Sequence, residues 1–394
     1  MTLDPILNDS PLIAALKGAA EFRRLLVTSG QRTRNAADDL CDSADHLCAL
    51  VNQCFWASMH LEEGRSIRGT ICICAPNEAP RARAFSEPVI CSAKSLATLL
   101  TASPSTPLAV QARGQGLEIW GTLDSAPMFA IRLRVAGAAI VIATDGHDVI
   151  AVLERGEVHL PKKASDLSWV VIVANALDKA KTFPQRLAIA TRIRRAVLAM
   201  HRQGHGGALV IVPAGNDSWA SWVSPGFRFD PTASTAVLGL LGELETAEKR
   251  FEELESGATP QIPQSLLPLF SKSVAVHQDL VNSMLRSIGD LSAVDGAVVM
   301  DEDLRVLGFG AKLGGSAGSF DVMVLDALSG ESATASYSDL GGTRHQSAAR
   351  FVLQNPESMI FVASQDGRLT LFAWVVDSGK VAAIRRLEHF VWEC

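Results

Sequence analysis

The chain lacks several features that would have placed it quickly. No uninterrupted apolar run approaches the roughly 18–20 residues of a membrane span. The most apolar stretch, Val135–Thr144, is far too short and reads as a strand. The opening MTLDPILNDS has no cationic segment followed by an apolar one, so no secretory signal is visible and a cytoplasmic location is expected. There is no CxxC, and His46 and His60 have no finger spacing relative to the cysteines, which argues against a structural zinc. Positive charge is not in excess: the formal net charge is −6, which argues against coating nucleic acid through bulk charge. Neither GxxxxGK[ST] nor GxGxxG occurs, and no repeat of fixed period is found.

Six of the seven cysteines fall between Cys41 and Cys91. They read as small buried hydrophobes of a reducing compartment. Cys72 and Cys74 are two apart, so in a strand they face the same side.

The pattern along the chain changes twice. Leu12–Leu26 and Ala36–Val51 carry apolar residues at three- and four-residue spacing and predict helices. Residues 67–160 are short strand-like runs between Gly- and Asp-rich turns. From Asp166 to Gln203 the spacing is helical again, with Leu187, Ile189, Ile193, Val197 and Met200 as the apolar stripe and Arg192, Arg194, Arg195 and Arg202 mostly off it. Gly207–Pro213 is a buried-type strand that opens a second domain. Leu241–Leu254 reads as a charged, solvent-facing helix, residues 256–264 as a linker, and Leu267–Leu291 as a further helical pair. The expected division is an N-terminal α+β region at 1–180 and a second domain at 185–394, which carries further helices at about 236–280.

Chemistry concentrates in the last hundred residues. Asp295-Gly296-Ala297 places a carboxylate and two small residues at the mouth of a buried strand, where a ligand or another backbone can come close. Gly341-Gly342-Thr343-Arg344-His345 leads two glycines into a helix, with Thr343 as the expected N-cap. Free N–H groups, the helix dipole and the Arg344 and His345 side chains together suit a phosphate. Ser364 and Gln365 end the first strand of a predicted hairpin beyond that helix. Lys312, among glycines, is a further cation within reach of a phosphate. His201 and His205 are four apart but sit where glycines end the helix, and the tryptophans read as packing residues.

The order DGA, then GTRH, then a strand ending Ser-Gln resembles the diadenylate cyclase (DAC) domain in its DisA-like form. Gly207-Ala-Leu-Val-Ile-Val resembles that family's opening strand, and the likeness spans roughly residues 185–380. It implies a mixed α/β sheet flanked by helices, and conversion of two ATP into cyclic di-AMP and pyrophosphate with Mg²⁺ or Mn²⁺. It implies a homodimer or higher homo-oligomer whose domains face each other, each holding one ATP. Carried over, Asp295 would sit beside metal and the attacking 3′-hydroxyl. Gly296 and Ala297 would line the nucleotide. Gly342, Thr343, Arg344 and His345 would hold phosphates, with Ser364 near the phosphate or metal end. The usual Arg-His-Arg ends here in Gln346, and Arg350 is the nearest replacement cation. A catalytic domain and a degenerate, ATP-sensing one both remain readings of this pattern. The family's DNA-binding tail has no counterpart, and no membrane or DNA partner is expected. The Leu117-Glu-Ile-Trp-Gly-Thr segment and the domain order resemble sensor domains of the DACNV type fused to some DAC domains.

Overall fold

The computed structural model describes residues 11–18, 40–62, 65–79, 81–103, 106–124, 126–127, 130–145, 148–161, 169–177, 181–215, 217–224, 226–230, 236–256, 264–315 and 318–390. Residues 19–26 and 36–39 of the expected N-terminal helices, most of the 256–264 linker and Trp392 lie outside these. The chain forms two compact units, Met1–Ala164 and Ser165–Glu393.

In the first unit, residues 11–18 are helical. Helix α1 (Ala44–Ser58) starts where Ser43 caps it, its hydroxyl accepting from His46 N at 3.2 Å. Helix α2 (Ala93–Ala102) is capped by Ser92, with Ser95 bonding back to the Ser92 N–H. The strands are β1 (Gly69–Ile73), β2 (Arg83–Ile90), β3 (Leu108–Arg113), β4 (Gly116–Thr122), β5 (Ile131–Gly137), β6 (Ile140–Asp145), β7 (Asp148–Glu154) and β8 (Glu157–His159). They form one sheet in the order β8-β7-β6-β5-β1-β3-β4-β2, in which only β1 and β3 run parallel. Both faces of β1 are buried. Ile71 and Ile73 pack under the helices, while Cys72 and Cys74 share the opposite face with Ala109, Trp120, Leu123 and Ala130. Trp120 donates its indole N–H to the Cys74 carbonyl at 2.7 Å, satisfying the ring's one polar group. Cys41, Cys48, Cys54, Cys72, Cys74 and Cys91 are all buried. Burial pushes the Cys91 thiol up to about 12 and also raises the Cys54 thiol well above its usual value, so both stay protonated and behave as apolar packing.

The second unit is a ten-stranded sheet with helices on both faces. Helix α3 (Trp169–Ala176) packs on α4 (Phe183–Gln203), whose Ile189, Ile193, Val197 and Met200 are buried as the apolar stripe predicts. Gly204 ends α4 at φ +68°, the left-handed cap only glycine adopts cheaply. Strand β9 (Gly207–Val212) follows, then short β10 (Val223–Ser224) and β11 (Phe227–Arg228), and helix α5 (Ala236–Glu255). The expected helical pair at 267–291 is instead one helix, α6 (Leu267–Asp290), closed by a tight turn over Leu291–Ala293. Ser283 and Ser287 lower helix propensity locally, but packing of α6 on both α4 and α5 outweighs it. Strands β12 (Ala297–Asp301), β13 (Val306–Leu313), β14 (Asp321–Asp326) and β15 (Ser332–Ser336), helix α7 (Thr343–Gln354), and strands β16 (Met359–Ala363), β17 (Leu369–Val375) and β18 (Lys380–Arg385) complete the unit. The sheet order is β10-β13-β12-β9-β16-β17-β18-β14-β15, with β11 also on β13.

Strand β9 is central because both of its faces are covered. Leu209 and Ile211 face the α4 and α6 side; Ala208, Val210 and Val212 face α7. That is why it is a continuous apolar run rather than an alternating one.

The α4–α6 crossing depends on Gly289. A Cβ there would lie 2.5 Å from the Ala196 carbonyl oxygen and 2.7 Å from Met200 N, so the helices cannot keep this distance with any larger residue. We predict that Gly289→Ala destabilises the second unit by about 1–3 kcal/mol through overpacking, read as a lower thermal midpoint with the first unit unaffected.

Candidate functional site: a corner of three strand ends and a helix N-terminus

Strands β9 and β12 are parallel and neighbours, so both begin at the same end of the sheet. Strand β16 runs antiparallel to β9 and finishes there, with Gly207 opposite Ala363. This register brings Gly206, Asp295-Gly296 and Ser364-Gln365 to one corner. Helix α7 starts beside it. Its N-cap is Gly342, at φ −70° and ψ 176°, and Thr343 is the first helical residue rather than the expected cap. With a glycine as cap, no side chain occupies the helix's first N–H groups. Gly341, at φ +125°, turns the chain into the helix.

Arg344 reaches across the corner to Asp295, Nη2 to Oδ1 at 3.0 Å. The Asp295 side chain is 93% exposed and that of Arg344 40%. An exposed ion pair of this kind contributes only ~0–1 kcal/mol, so a ligand can open it at little cost. The guanidinium fits because Gly206, at φ +73°, has no side chain; a Cβ there would lie 3.2 Å from Arg344 Nη1 and 3.2 Å from Gln365 Cγ. Gly296 is tighter still. At φ +117° its Cβ would stand 2.5 Å from the Gly310 carbonyl carbon and 2.9 Å from the Ala311 carbonyl oxygen. The side chain of Ala297 is buried on the α7 side of the sheet, so it meets the corner with backbone only.

The other expected residues are placed as follows. His345 is half-buried, edge-on to Phe372 at 5.9 Å between centroids. Burial lowers its pKa, Arg385 lowers it further, and Asp366 opposes both. It is therefore a neutral imidazole at pH 7 rather than a second cation. Gln346 donates from Nε2 to the carbonyls of Ser338 (3.0 Å) and Gly341 (3.1 Å), bracing the turn that leads into α7. Arg350 lies over the Tyr337 ring at 5.7 Å and makes no pair with Asp295. Ser364 heads the turn between β16 and β17, its N–H donating to the Arg368 carbonyl at 2.8 Å and its carbonyl accepting from Gly367 N at 3.0 Å. Lys312 is exposed, opposite Ser224 of β10. His201 is buried with Nε2 2.7 Å from the Gly367 carbonyl.

Two contributors were not foreseen. One is Gly206, which reads in sequence only as the end of a helix. The other is Phe227, 58% exposed, stacked on Phe309 at 4.8 Å and 18°. A Cβ on Gly310 would lie 3.6 Å from the Phe227 ring and 3.7 Å from the Asp295 carbonyl oxygen, so the ring flanks the corner. Among the described residues no cluster of three or more His, Cys, Asp or Glu is arranged for a metal. Asp295 alone still suits Mg²⁺, which is commonly held by one or two carboxylates together with substrate phosphates.

The comparison with family models falls on the other unit. Residues 37–124 match DACNV, described as a probable sensor domain. The match runs from just before α1 to just past β4. The DACNV region thus includes the cysteine-rich helix α1 and the Trp120 face of the sheet, and β5 to β8 extend its sheet beyond the match. The DAC domain itself is not detected. No curated protein matches the chain. Among the described residues no helix is long and apolar enough to cross a membrane.

The His345 environment gives a signed prediction. Its folded pKa lies below the usual 6.5, so the unfolded state binds more protons as pH falls through that value, and folding stability drops. We expect the second unit to lose stability between pH 7 and pH 5, and His345→Gln to flatten that part of the profile, as followed by denaturant unfolding at each pH.

Proposed function

We propose that the second unit is a diadenylate cyclase that condenses two ATP into cyclic di-AMP and two pyrophosphates, and that the DACNV region upstream regulates it. The observation that carries this reading is the Asp295–Arg344 pair at an open helix N-terminus, drawn together from 49 residues apart. The DACNV match adds support, since that family is linked to DAC proteins.

In this reading the triphosphate takes Arg344 and the free N–H groups of α7, and the base lies against Phe227. The displaced Asp295 carboxylate is then free to hold Mg²⁺ or Mn²⁺ and to orient the 3′-hydroxyl. A bound divalent ion would neutralise phosphate charge. Each corner supplies one ATP, so two copies must face each other. Each 3′-oxygen forms a bond to the partner's α-phosphorus, each α–β bridge breaks, and two protons leave with the pyrophosphates. Such chemistry needs positioning and charge neutralisation rather than a covalent protein intermediate.

A second reading is an ATP-binding domain that does not synthesise. It is favoured by Gln346, whose amide is committed to bracing the turn and which supplies no cation.

The test is to incubate the full chain with ATP and Mg²⁺ or Mn²⁺ and to look for cyclic di-AMP by mass spectrometry. We expect product from the wild type and none from Asp295→Asn, whose stability changes by less than ~1 kcal/mol because the lost pair is exposed. Arg344→Ala should weaken ATP binding by about tenfold to a hundredfold, the worth of a charge-assisted hydrogen bond. Binding without product would favour the second reading. Unchanged turnover in Asp295→Asn would remove the corner as the active site.

A further inference from the structure

The first unit contains a buried cation with no counter-ion among the described residues. Arg132 lies on β5, on the sheet face opposite α1 and α2, and is 8% exposed. Its cross-strand neighbours are small: Cys72 on β1 and Thr144 on β6, with Ala109 next to Cys72 on β3. The guanidinium makes one hydrogen bond, from Nη2 to the Pro127 carbonyl, and that bond is long at 3.3 Å. The same carbonyl also accepts from Ala130 N at 3.1 Å. Arg132 Nε is buried with no partner. Among the described residues no carboxylate pairs with it. The buried carboxylate of this face, Glu118, stands on β4, three strands away. It is already held by Gln111 (2.8 Å) and Arg113 (3.0 Å).

An arginine stays charged at any pH a protein tolerates. Burying it with one weak acceptor is costly, and an unsatisfied buried donor adds to that cost. The Nε and Nη2 hydrogens lie on one edge of the guanidinium and form the fork that receives an oxyanion bidentately. Here that edge has one empty donor and one poorly used donor, over a floor of small side chains.

We propose that the first unit binds a small oxyanion, the carboxylate or phosphate group of a metabolite, on the Nε–Nη2 edge of Arg132. The anion takes Nε and competes with the Pro127 carbonyl for Nη2. Occupancy therefore loosens the Pro127 carbonyl from β5, which couples ligand to backbone just beyond the 37–124 segment that matches a probable sensor domain. This inference does not depend on the cyclase reading.

The test uses the full chain carrying Arg344→Ala, which keeps anions off the corner in the second unit. Thermal unfolding is followed with inorganic phosphate or malonate added, against chloride at equal ionic strength. The expected result is a rise in midpoint of about 2–4 °C with one of the two anions, corresponding to a site several-fold saturated. The rise disappears in Arg132→Leu, which without anion is at least as stable as its parent because an unpaired buried charge has gone. Arg132→Lys keeps the charge but not the fork, and loses most of the rise. Generic salting effects are the same in all variants and cancel. A rise with phosphate alone identifies a phosphate-type ligand, and one with malonate a carboxylate. Equal rises with and without Arg132, or no rise with either anion, would overturn the proposal.

Discussion

Backbone meets backbone where β12 begins. At Gly296 the chain runs so close to Gly310 and Ala311 that no side chain fits, and at Gly206 a Cβ would press at 3.2 Å on the Arg344 and Gln365 side chains and make them shift. These two close approaches let three strand ends and a helix start share one corner. With any Cβ at Gly296 the β12–β13 pair would have to open, and Asp295 would move away from Arg344. The carboxylate, the guanidinium and the free helix amides are thus held together by the absence of atoms, and only weakly by attraction, since their ion pair is exposed. A site built this way is rigid in its backbone and labile in its charges, which suits a ligand that must replace one ionic partner by another.

Much of this was legible in the residues. Gly207–Val212 announced a strand buried on both faces, and Asp295-Gly-Ala with Gly-Thr-Arg-His announced the carboxylate and the cation. Both signals are local, carried by the glycines that a close approach or a turn requires. What was not legible depends on tertiary distance. Thr343 looked like the better cap because its hydroxyl can accept an N–H, yet the turn fixed by Gly341 and Gln346 sets the boundary one residue earlier. Phe227 gave no signal, because its meaning comes from pairing with Phe309, 82 positions along. The single long helix α6 was hidden by serines whose low propensity packing overrides.

The first unit follows a different logic. One sheet face is an ordinary core under α1 and α2, filled by leucines, isoleucines and cysteines. The other combines small residues and Trp120 with buried polar groups, Glu118 satisfied and Arg132 not. The cysteines read in sequence as small buried hydrophobes. The structure agrees: Cys54 and Cys91 are buried in the core under the helices, and Cys72 and Cys74 pack beside Trp120 on the other face.

The central claim is that one nucleotide contacts both sequence-distant halves of the corner. Hydrogen–deuterium exchange of the full chain, with and without ATP and Mg²⁺, measures this directly. The account predicts slowed exchange in the 294–297 and 341–347 backbone together, with the same nucleotide concentration dependence. Protection of neither segment, or of 341–347 alone with 294–297 unchanged, would contradict it.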